Sequence, residues 1–377
     1  LTTRTSLLAS LLHDACVRKE GSCVACPGSR SSRSHFTFHI SNHQPSTHIR
    51  MNATENSIIS TCPTDHQREE FDGHSDVSAA TFECHSIESL TAKQQTELIS
   101  IYNRFGFVLV KCTAHSPTDE DIRGNVLSLQ PLLGRCAPHK RMDADGIGPI
   151  VASTAAAISK WGYGAMGLTS AEFEPHTDGS FLAAPDEVLS LTCYEPAAKG
   201  GESYVVSGAK LFSHLQEVLS EAELAGLFLP DAVTVGNGGQ TATRPVLHIL
   251  PQEEEKRAQG NPNPKRNNNL AMAMSWRCDL VLKGQVHPEA KRGCEAILAF
   301  VTDPVNQLSH KLQRNEMLIM DNQAVLHARR SFPDGMPRRL ARCNFFMEGS
   351  GSAFEGHLTT GFTADAATTA AAAFLRG

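Results

Sequence analysis

The chain has 377 residues, of which 41% are hydrophobic, enough for a buried core in one large domain or two small ones. It contains no apolar run approaching the ~18 residues of a membrane span, and with 34 Lys and Arg against 40 Asp and Glu its net charge of -6 argues against a nucleic-acid partner. Eleven cysteines without regular pairing favour a reducing, cytoplasmic environment. These features leave the oligomeric state open.

The first fifty residues differ from the rest of the chain. They carry six basic residues against two acidic ones, are rich in Ser, Thr and His, and precede the first methionine, Met51. We expect residues 1–50 to be a disordered or non-native extension; alternatively, the Arg- and Ser-rich stretch 2–19 is a transit segment and the protein is mitochondrial. Cys23 and Cys26 form a single Cys-x-x-Cys, a weak metal signal without a second pair. Residues 51–88 are polar and are expected to be a poorly ordered lead-in.

Organised sequence is expected from Ser89 onwards. Apolar periodicity and start signals predict helices at 91–103, 209–217, 220–227 and from His287 to about 301. Short apolar runs predict strands at 105–110, 187–195, 203–207, 316–320, 324–328 and 340–347. The tract 251–269 is a loop by composition, and 349–377 is a low-complexity tail. Many short strands between helices indicate a mainly β fold, a sandwich or barrel with flanking helices.

A His and a carboxylate two residues apart on a strand point to the same side and can share a metal. About 1.8 such pairs are expected by chance from 17 His and 40 acidic residues, and the chain has three: His74/Asp76, His176/Asp178 and His287/Glu289. The first lies in the polar lead-in, and the third starts a helix, where an acidic residue suits the helix dipole. His176 and Asp178 instead follow a Gly-rich stretch and precede a strand, so this pair is the best candidate.

A catalytic metal needs a third ligand, and His327 near the end of the predicted strand 324–328 can supply it. Arg338, Arg339 and Arg342 follow, on or just before the next predicted strand. Residues four apart on a strand share a face, so Arg338 and Arg342 are expected to point inward together. Arg339 is expected to be a solvated surface charge. Asp321 and Asn322 either orient His327 or are turn residues at a strand end.

This combination resembles the TauD/TfdA family of taurine dioxygenase-like oxygenases. The shared motifs, in order, are EPHTDGSF, the GGES turn after a strand, the DNxxxLHxR stretch and the final RRLxR run, and 149 residues separate Asp178 from His327. The resemblance covers roughly 89–348, which is therefore expected to be the dioxygenase domain. It implies a double-stranded β-helix (jelly-roll) core and an Fe(II) enzyme that consumes 2-oxoglutarate and O2.

The resemblance also implies roles for individual residues. His176, Asp178 and His327 would be the catalytic metal ligands, a facial triad of two His and one carboxylate that leaves open positions for 2-oxoglutarate and O2. Arg338 would bind the distal carboxylate of 2-oxoglutarate, helped by the Ser203 hydroxyl, since Arg suits a carboxylate better than Lys does. Arg342 matches a position that often grips an anionic substrate group; a second 2-oxoglutarate contact or a structural ion pair are its alternatives.

The substrate is the least defined part of the prediction. In the family the stretch before the metal pair forms a wall of the substrate pocket, and here it contains Trp161 and Tyr163. Either these aromatic side chains contact a small organic substrate, or Trp161 packs on the core. If Arg342 meets the substrate, a small carboxylate or an amino acid is expected.

Three other activities were weighed against an oxygenase. A zinc hydrolase has the same ligand types but leaves Arg338 and Ser203 without a task. A non-catalytic cupin-like binding protein would not need the intact set of His176, Asp178 and His327. A related halogenase normally lacks the carboxylate ligand. Hydroxylation, desaturation and oxidative cyclisation therefore all remain open.

Overall fold

A computed structural model of the protein describes residues 68–136, 142–152, 167–182, 185, 187–237, 240–250, 269–277, 281–346, 358 and 361–365. The expected extension at 1–50, all but the last residue of the loop 251–269, and both Trp161 and Tyr163 lie outside these residues. Within the described ranges, no helix combines the length and the apolar character that crossing a membrane requires.

The largest sheet has seven strands. In spatial order they are β1 (Thr81–Cys84), β2 (Phe107–Cys112), β14 (Glu316–Asp321), β6 (Val188–Glu195), β16 (Arg339–Phe346) and β3 (Arg135–Cys136), with β4 (Gly148–Val151) also pairing with β16. All pairs are antiparallel except β1 with β2. Every residue of β14 and all but the last of β6 are buried, which fits their central places in the sheet.

A second sheet of four antiparallel strands carries both histidines of the expected metal site. Its order is β13 (Leu308–His310), β7 (Ser203–Ser207), β15 (Val325–Arg329) and β5 (Phe173–His176). Val205 and Val325 of this sheet share one buried apolar cluster with Leu189, Leu191 and Met320 of the seven-stranded sheet. The two sheets therefore pack against each other through this cluster.

Two three-stranded sheets and six α-helices complete the described part of the chain. The sheets are β10 (Leu247–Ile249), β11 (Asn269–Met274) and β17 (Phe362–Asp365), and β12 (Val281–Val286), β8 (Val233–Asn237) and β9 (Gln240–Arg244). The helices are α1 (Ala92–Phe105), α2 (Asp119–Leu127), α3 (Gln130–Leu133), α4 (Gly208–Val218), α5 (Glu221–Gly226) and α6 (Lys291–Thr302). Thr91 caps α1 in a reciprocal bond with Gln94, and Gly106 ends it at φ 79°. The mainly β class with flanking helices is confirmed.

Two expected boundaries are wrong. The expected lead-in at 51–88 contains β1, whose Phe82 and Cys84 are buried, and the buried Arg68, which is ion-paired with Asp321. The expected tail at 349–377 contains β17, in which Phe362 is fully buried. Four-residue strands are too short to show a clear periodicity. Arg68 is stabilised by a partner far along the chain, which local composition cannot reveal.

Candidate metal centre

His176, Asp178 and His327 lie together in the structure. His176 ends β5 and stands directly opposite His327 of β15 in the sheet. Oδ1 of Asp178 lies 3.5 Å from Nε2 of His176 and 3.9 Å from Nε2 of His327. All three residues are buried, and their candidate ligand atoms fall within 4.8 Å of one another. The three side chains can therefore converge on one metal ion.

The protonation of these side chains suits metal binding. Nδ1–H of His176 donates to the carbonyl of Glu174 at 2.8 Å, which assigns the proton to Nδ1 and leaves the lone pair on Nε2. That buried Nε2 has no hydrogen-bond partner among the residues described. Burial, reinforced by His176, lowers the pKa of His327 to about 3, so its imidazole is neutral. Burial opposes ionisation of Asp178, but Arg342 and the two histidines hold its pKa well below the ordinary value.

The donor set is thus two imidazoles and one carboxylate. This is the combination that non-haem Fe(II) oxygenases use, with positions left open for other ligands. The residues present therefore fit an Fe(II) ion, and the orphaned Nε2 of His176 marks where one ligand bond would form. A zinc ion would accept the same ligand types. The other residues of the cavity must therefore distinguish an Fe(II) site from a zinc site.

Neighbouring segments fix the turn that carries Asp178. The backbone N–H of Asp178 donates to Oδ1 of Asn322 at 2.7 Å, and Nδ2 of Asn322 donates to the carbonyl of Asp178 at 2.9 Å. On the other side, Thr177 N–H donates to the carbonyl of Trp276, whose own N–H donates to the Thr177 hydroxyl. Asn322 therefore supports Asp178 rather than His327, while Asp321 pairs with Arg68.

Arg338 and Ser203 line the same cavity as the three metal-binding candidates. Both are buried, and the Arg338 side chain forms no hydrogen bond or ion pair with any residue in the described part of the chain. Burial lowers the pKa of Arg338 to about 10, which leaves it charged at neutral pH. A buried cation and a hydroxyl that line the same cavity are suited to hold a carboxylate, as the distal end of 2-oxoglutarate requires.

The two glycines of the GGES turn make room for this arginine. Gly200 and Gly201 adopt φ values of 69° and 73°, which side chains with a Cβ rarely tolerate. A Cβ on Gly201 would stand 3.2 Å from both Cδ and Nε of Arg338. The turn that leads into Ser203 is therefore shaped around the Arg338 side chain.

Arg342 lines the cavity together with Arg338 and Leu340, so alternate residues of this segment share one face. Nη1 of Arg342 donates to Oδ2 of Asp178 at 2.9 Å, and the Arg342 side chain remains 19% exposed. Arg339 points the other way and pairs with Asp119 at 2.6 Å. Arg339 is therefore a surface charge, as expected, with the partly exposed carboxylate of Asp119 in α2 as its ion-pair partner.

The remaining cavity wall is mostly apolar. It includes Arg329, whose guanidinium donates to the carbonyls of Gly167 and Ala171. The apolar residues of this wall are Met142, Pro149, Ile150, Leu168, Phe173, Leu191, Ala328 and Leu340. The sequence analysis did not assign a role to any of these side chains. Among them, Arg329 and Leu340 belong to motifs that it quoted, as the Arg of LHxR and the Leu of RRLxR.

The chain was compared with sequence models of protein families and with solved structures. The sequence model of the family described as "Taurine catabolism dioxygenase TauD, TfdA family" matches residues 67–344. Among solved structures, the chain is similar to asparagine oxygenase in complex with Fe(II), 2S,3S-3-hydroxyasparagine and succinate, with a TM-score of 0.50, 13% identity and coverage of 78% of this chain and 92% of that chain. That likeness shows a shared fold.

Two further structures are similar. One is the non-heme iron oxygenase OrfP in complex with Fe, succinate and (3S)-hydroxy-L-Arg (TM-score 0.49, 15% identity, 68% of this chain and 80% of that chain covered). The other is the PvcB protein from Pseudomonas aeruginosa (TM-score 0.49, 14% identity, 71% and 86% covered). Because the family model spans most of the chain, the protein belongs to the TauD/TfdA family and is an Fe(II)- and 2-oxoglutarate-dependent dioxygenase.

Proposed function

We propose that the protein oxidises a small organic substrate, a carboxylate or an amino acid, and releases succinate and CO2 from 2-oxoglutarate. The observation that carries this proposal is the buried Arg338, which forms no hydrogen bond or ion pair with the described residues and lines the same cavity as Ser203. A buried charge is costly unless an anion meets it. Zinc hydrolysis would give this guanidinium no such partner, and a cupin-like binding protein would not need the intact set of His176, Asp178 and His327.

Each residue has a separate task in this proposal. His176, Asp178 and His327 hold Fe(II), while Arg338 and Ser203 hold the distal carboxylate of 2-oxoglutarate. Bound iron and 2-oxoglutarate together supply the activation of O2 and the removal of a substrate hydrogen. Asn322 and Thr177 keep the Asp178 turn in place, and the apolar wall limits access of water to the reacting groups.

Arg342 is the residue proposed to select the substrate. One of its N–H groups is bonded to Asp178, and a guanidinium has five donors, so the others are available to a substrate carboxylate in the cavity. The Leu168 and Phe173 side chains offer an apolar surface to the body of a small molecule. The hydroxyasparagine held by the asparagine oxygenase structure makes amino acids the first substrates to try. Trp161 and Tyr163 remain predicted substrate contacts.

We further infer that the seven-stranded and four-stranded sheets form the two halves of a double-stranded β-helix. The metal-binding candidates lie on or next to strands of the smaller sheet, and the two arginines lie on or next to β16 of the larger one. A jelly-roll core would bring these two sets together at one end. Hydroxylation, desaturation and cyclisation all begin with hydrogen removal, so the substrate's own structure selects among them. The cytoplasm is the proposed location.

Succinate release tests the proposal. The purified protein is incubated with Fe(II), 2-oxoglutarate, O2 and a panel of amino acids and small carboxylates, with Asp178→Ala as the control. We expect at least one compound to stimulate succinate release and to be oxidised in equal amount. Hydrolysis of a compound with Zn(II) and no succinate from any mixture would instead favour the zinc hydrolase, and binding without turnover would favour the binding protein.

A further inference from the structure

Cys136 of β3 and Cys343 of β16 stand side by side at the edge of the seven-stranded sheet. Their Sγ atoms are 2.7 Å apart, whereas those of Cys84 and Cys112, which face each other on β1 and β2, are 3.9 Å apart. A disulfide bond of ~2.0 Å would therefore need only a small closing movement at the first pair. We propose that Cys136 and Cys343 are a modification site, which a hydroperoxide converts into a disulfide that fastens a wall of the substrate cavity to β16.

The two thiols differ in the way that such a reaction requires. Cys136 is partly exposed, and Cys343 is fully buried. The hydrogen bond between them lowers the pKa of Cys136 and raises the pKa of Cys343. Cys136 is thus the reactive thiolate that peroxide reaches first, and Cys343 is the neighbouring thiol that resolves the product.

The chemistry balances with a hydroperoxide as the oxidant. The Cys136 thiolate attacks one peroxide oxygen, the O–O bond breaks, and a sulfenic acid forms while the other oxygen leaves as hydroxide or alkoxide, which takes a proton from solvent to become water or an alcohol. The Cys343 sulfur then attacks the sulfenic sulfur, the S–O bond breaks, and a water molecule leaves with the thiol proton. Two thiols are oxidised by two electrons in total, and the peroxide is reduced by the same two electrons.

Residues 142–147, which precede β4, pack against Cys136. A Cβ on Gly146 would lie 2.4 Å from Cβ of Cys136, so only glycine leaves room for the thiol here. The carboxylate of Asp143 accepts hydrogen bonds from the backbone N–H groups of Asp145 and Ile147, and it is ion-paired with Arg123. These residues are therefore held against the thiol by contacts that do not involve the metal centre.

The Cys136–Cys343 pair lies next to segments that line the cavity, so a disulfide there would affect the cavity wall. Residues 142–147 continue into β4, whose Gly148, Pro149 and Ile150 line the cavity, and Gly148 pairs with Arg342. Cys343 follows Arg342 directly in β16. A covalent link between Cys136 and Cys343 would therefore restrict the separation of the β3–β4 wall from the strand that carries Arg342.

Peptide mapping of the full chain tests the proposal. The protein is treated with hydrogen peroxide, alkylated and digested, with Cys84→Ser and Cys343→Ser variants treated in parallel. We expect a Cys136–Cys343 cross-link that reductant reverses, in the wild type and in Cys84→Ser, while Cys84 and Cys112 stay alkylatable in the wild type. In Cys343→Ser, the expected product is a sulfenic acid at Cys136, trapped by dimedone. Hydrogen exchange of the β4 amides should slow on oxidation of the wild type and not of Cys343→Ser.

Two results would overturn this inference. One is a Cys136 that remains fully alkylatable after peroxide treatment of the wild type. The other is a cross-link between Cys84 and Cys112 that forms as fast as the one between Cys136 and Cys343, because oxidation would then not depend on the geometry of the pair. Neither result bears on the dioxygenase activity, since the mapping needs neither iron nor 2-oxoglutarate.

Discussion

The side-chain amide of Asn322 forms two hydrogen bonds with the backbone of Asp178: its Oδ1 accepts from the N–H, and its Nδ2 donates to the carbonyl. Asn322 is itself almost completely buried just after β14, and its own N–H donates to the carbonyl of Glu187. The position of a candidate metal ligand is therefore set by a side chain that does not bind metal. Such supporting residues often matter to a metal site nearly as much as the ligands do.

Replacing Asn322 by Ala should weaken metal binding about 10- to 100-fold, the usual effect of losing such a partner. The measurement is a titration with Co(II) in place of Fe(II), followed by its visible absorption. Asn306→Ala is the matched control, because Asn306 is also buried and donates to the Phe300 carbonyl, away from the cavity. Equal metal affinity in the two variants would show that Asn322 does not hold the Asp178 turn.

Replacing Arg338 by Ala should raise the dissociation constant of 2-oxoglutarate about 30-fold or more, since losing a buried charged partner costs ~2–5 kcal/mol. Lysine should recover only part of this, because it lacks the planar fork. Without 2-oxoglutarate, Arg338→Ala should not lower the melting temperature, because a buried guanidinium without an ion-pair partner is itself costly. Calorimetry with 2-oxoglutarate checks the first point, with Arg339→Ala as the neighbouring control; unchanged affinity for Arg338→Ala would refute the assignment.

Arg342→Ala should weaken the binding of the organic substrate and of the metal, and should leave the binding of 2-oxoglutarate unchanged. The organic substrate should bind more weakly, and metal binding should fall about tenfold, because a hydrogen bond between charged groups is worth ~1.5–3 kcal/mol. The constant for 2-oxoglutarate should stay the same, and its decarboxylation should become uncoupled from substrate oxidation. Apparent constants for iron, 2-oxoglutarate and substrate decide the matter. If only the 2-oxoglutarate constant moves, Arg342 is a second contact for that carboxylate.

Gly201→Ala should impair 2-oxoglutarate binding without removing any charge. The added Cβ would press on Cδ and Nε of Arg338 at 3.2 Å, in a backbone conformation that costs a side chain roughly 1–2 kcal/mol. Gly335→Ala is a close control, because Gly335 has a similar φ of 75° but nothing within 4 Å of the new atom. Both variants should lose thermal stability, and only Gly201→Ala should weaken 2-oxoglutarate. If both variants weakened the affinity for 2-oxoglutarate equally, a specific contact between residue 201 and Arg338 would be ruled out.

The central elements of this protein can be predicted from its sequence because their signals are local. The apolar runs of β6, β7 and β14 are long enough to mark buried strands, and a His and a carboxylate two residues apart reach the same side of an extended segment. The alternation that lets Arg338 and Arg342 share a face follows from the strand period alone. These parts of the fold and the site need no knowledge of distant contacts.

The remaining features depend on contacts that no local pattern encodes. Arg342 bonds to Asp178 across 164 residues, and Asn322 bonds to the same residue across 144. β9 has the sequence QTATR, without a buried apolar face, and forms a strand because β8 pairs with it. Asp119 meets Arg339 only because α2 lies beside that end of β16. Such pairings follow from the packing of the sheets.

The Arg68 guanidinium, near the start of the described residues, contacts Gly361, near their end, and Asp321 in β14. It is ion-paired with Asp321 and donates to the carbonyls of Tyr102 and Gly361, while the N–H of Gly361 donates to Asp321. Asp321 is the residue directly before Asn322, which supports Asp178. During synthesis, therefore, we expect the metal-binding turn to reach its final geometry only after residue 361 has left the ribosome. A chain that lacks Gly361 should therefore bind iron poorly, because Asp321 and Arg68 would each lose a hydrogen-bond partner.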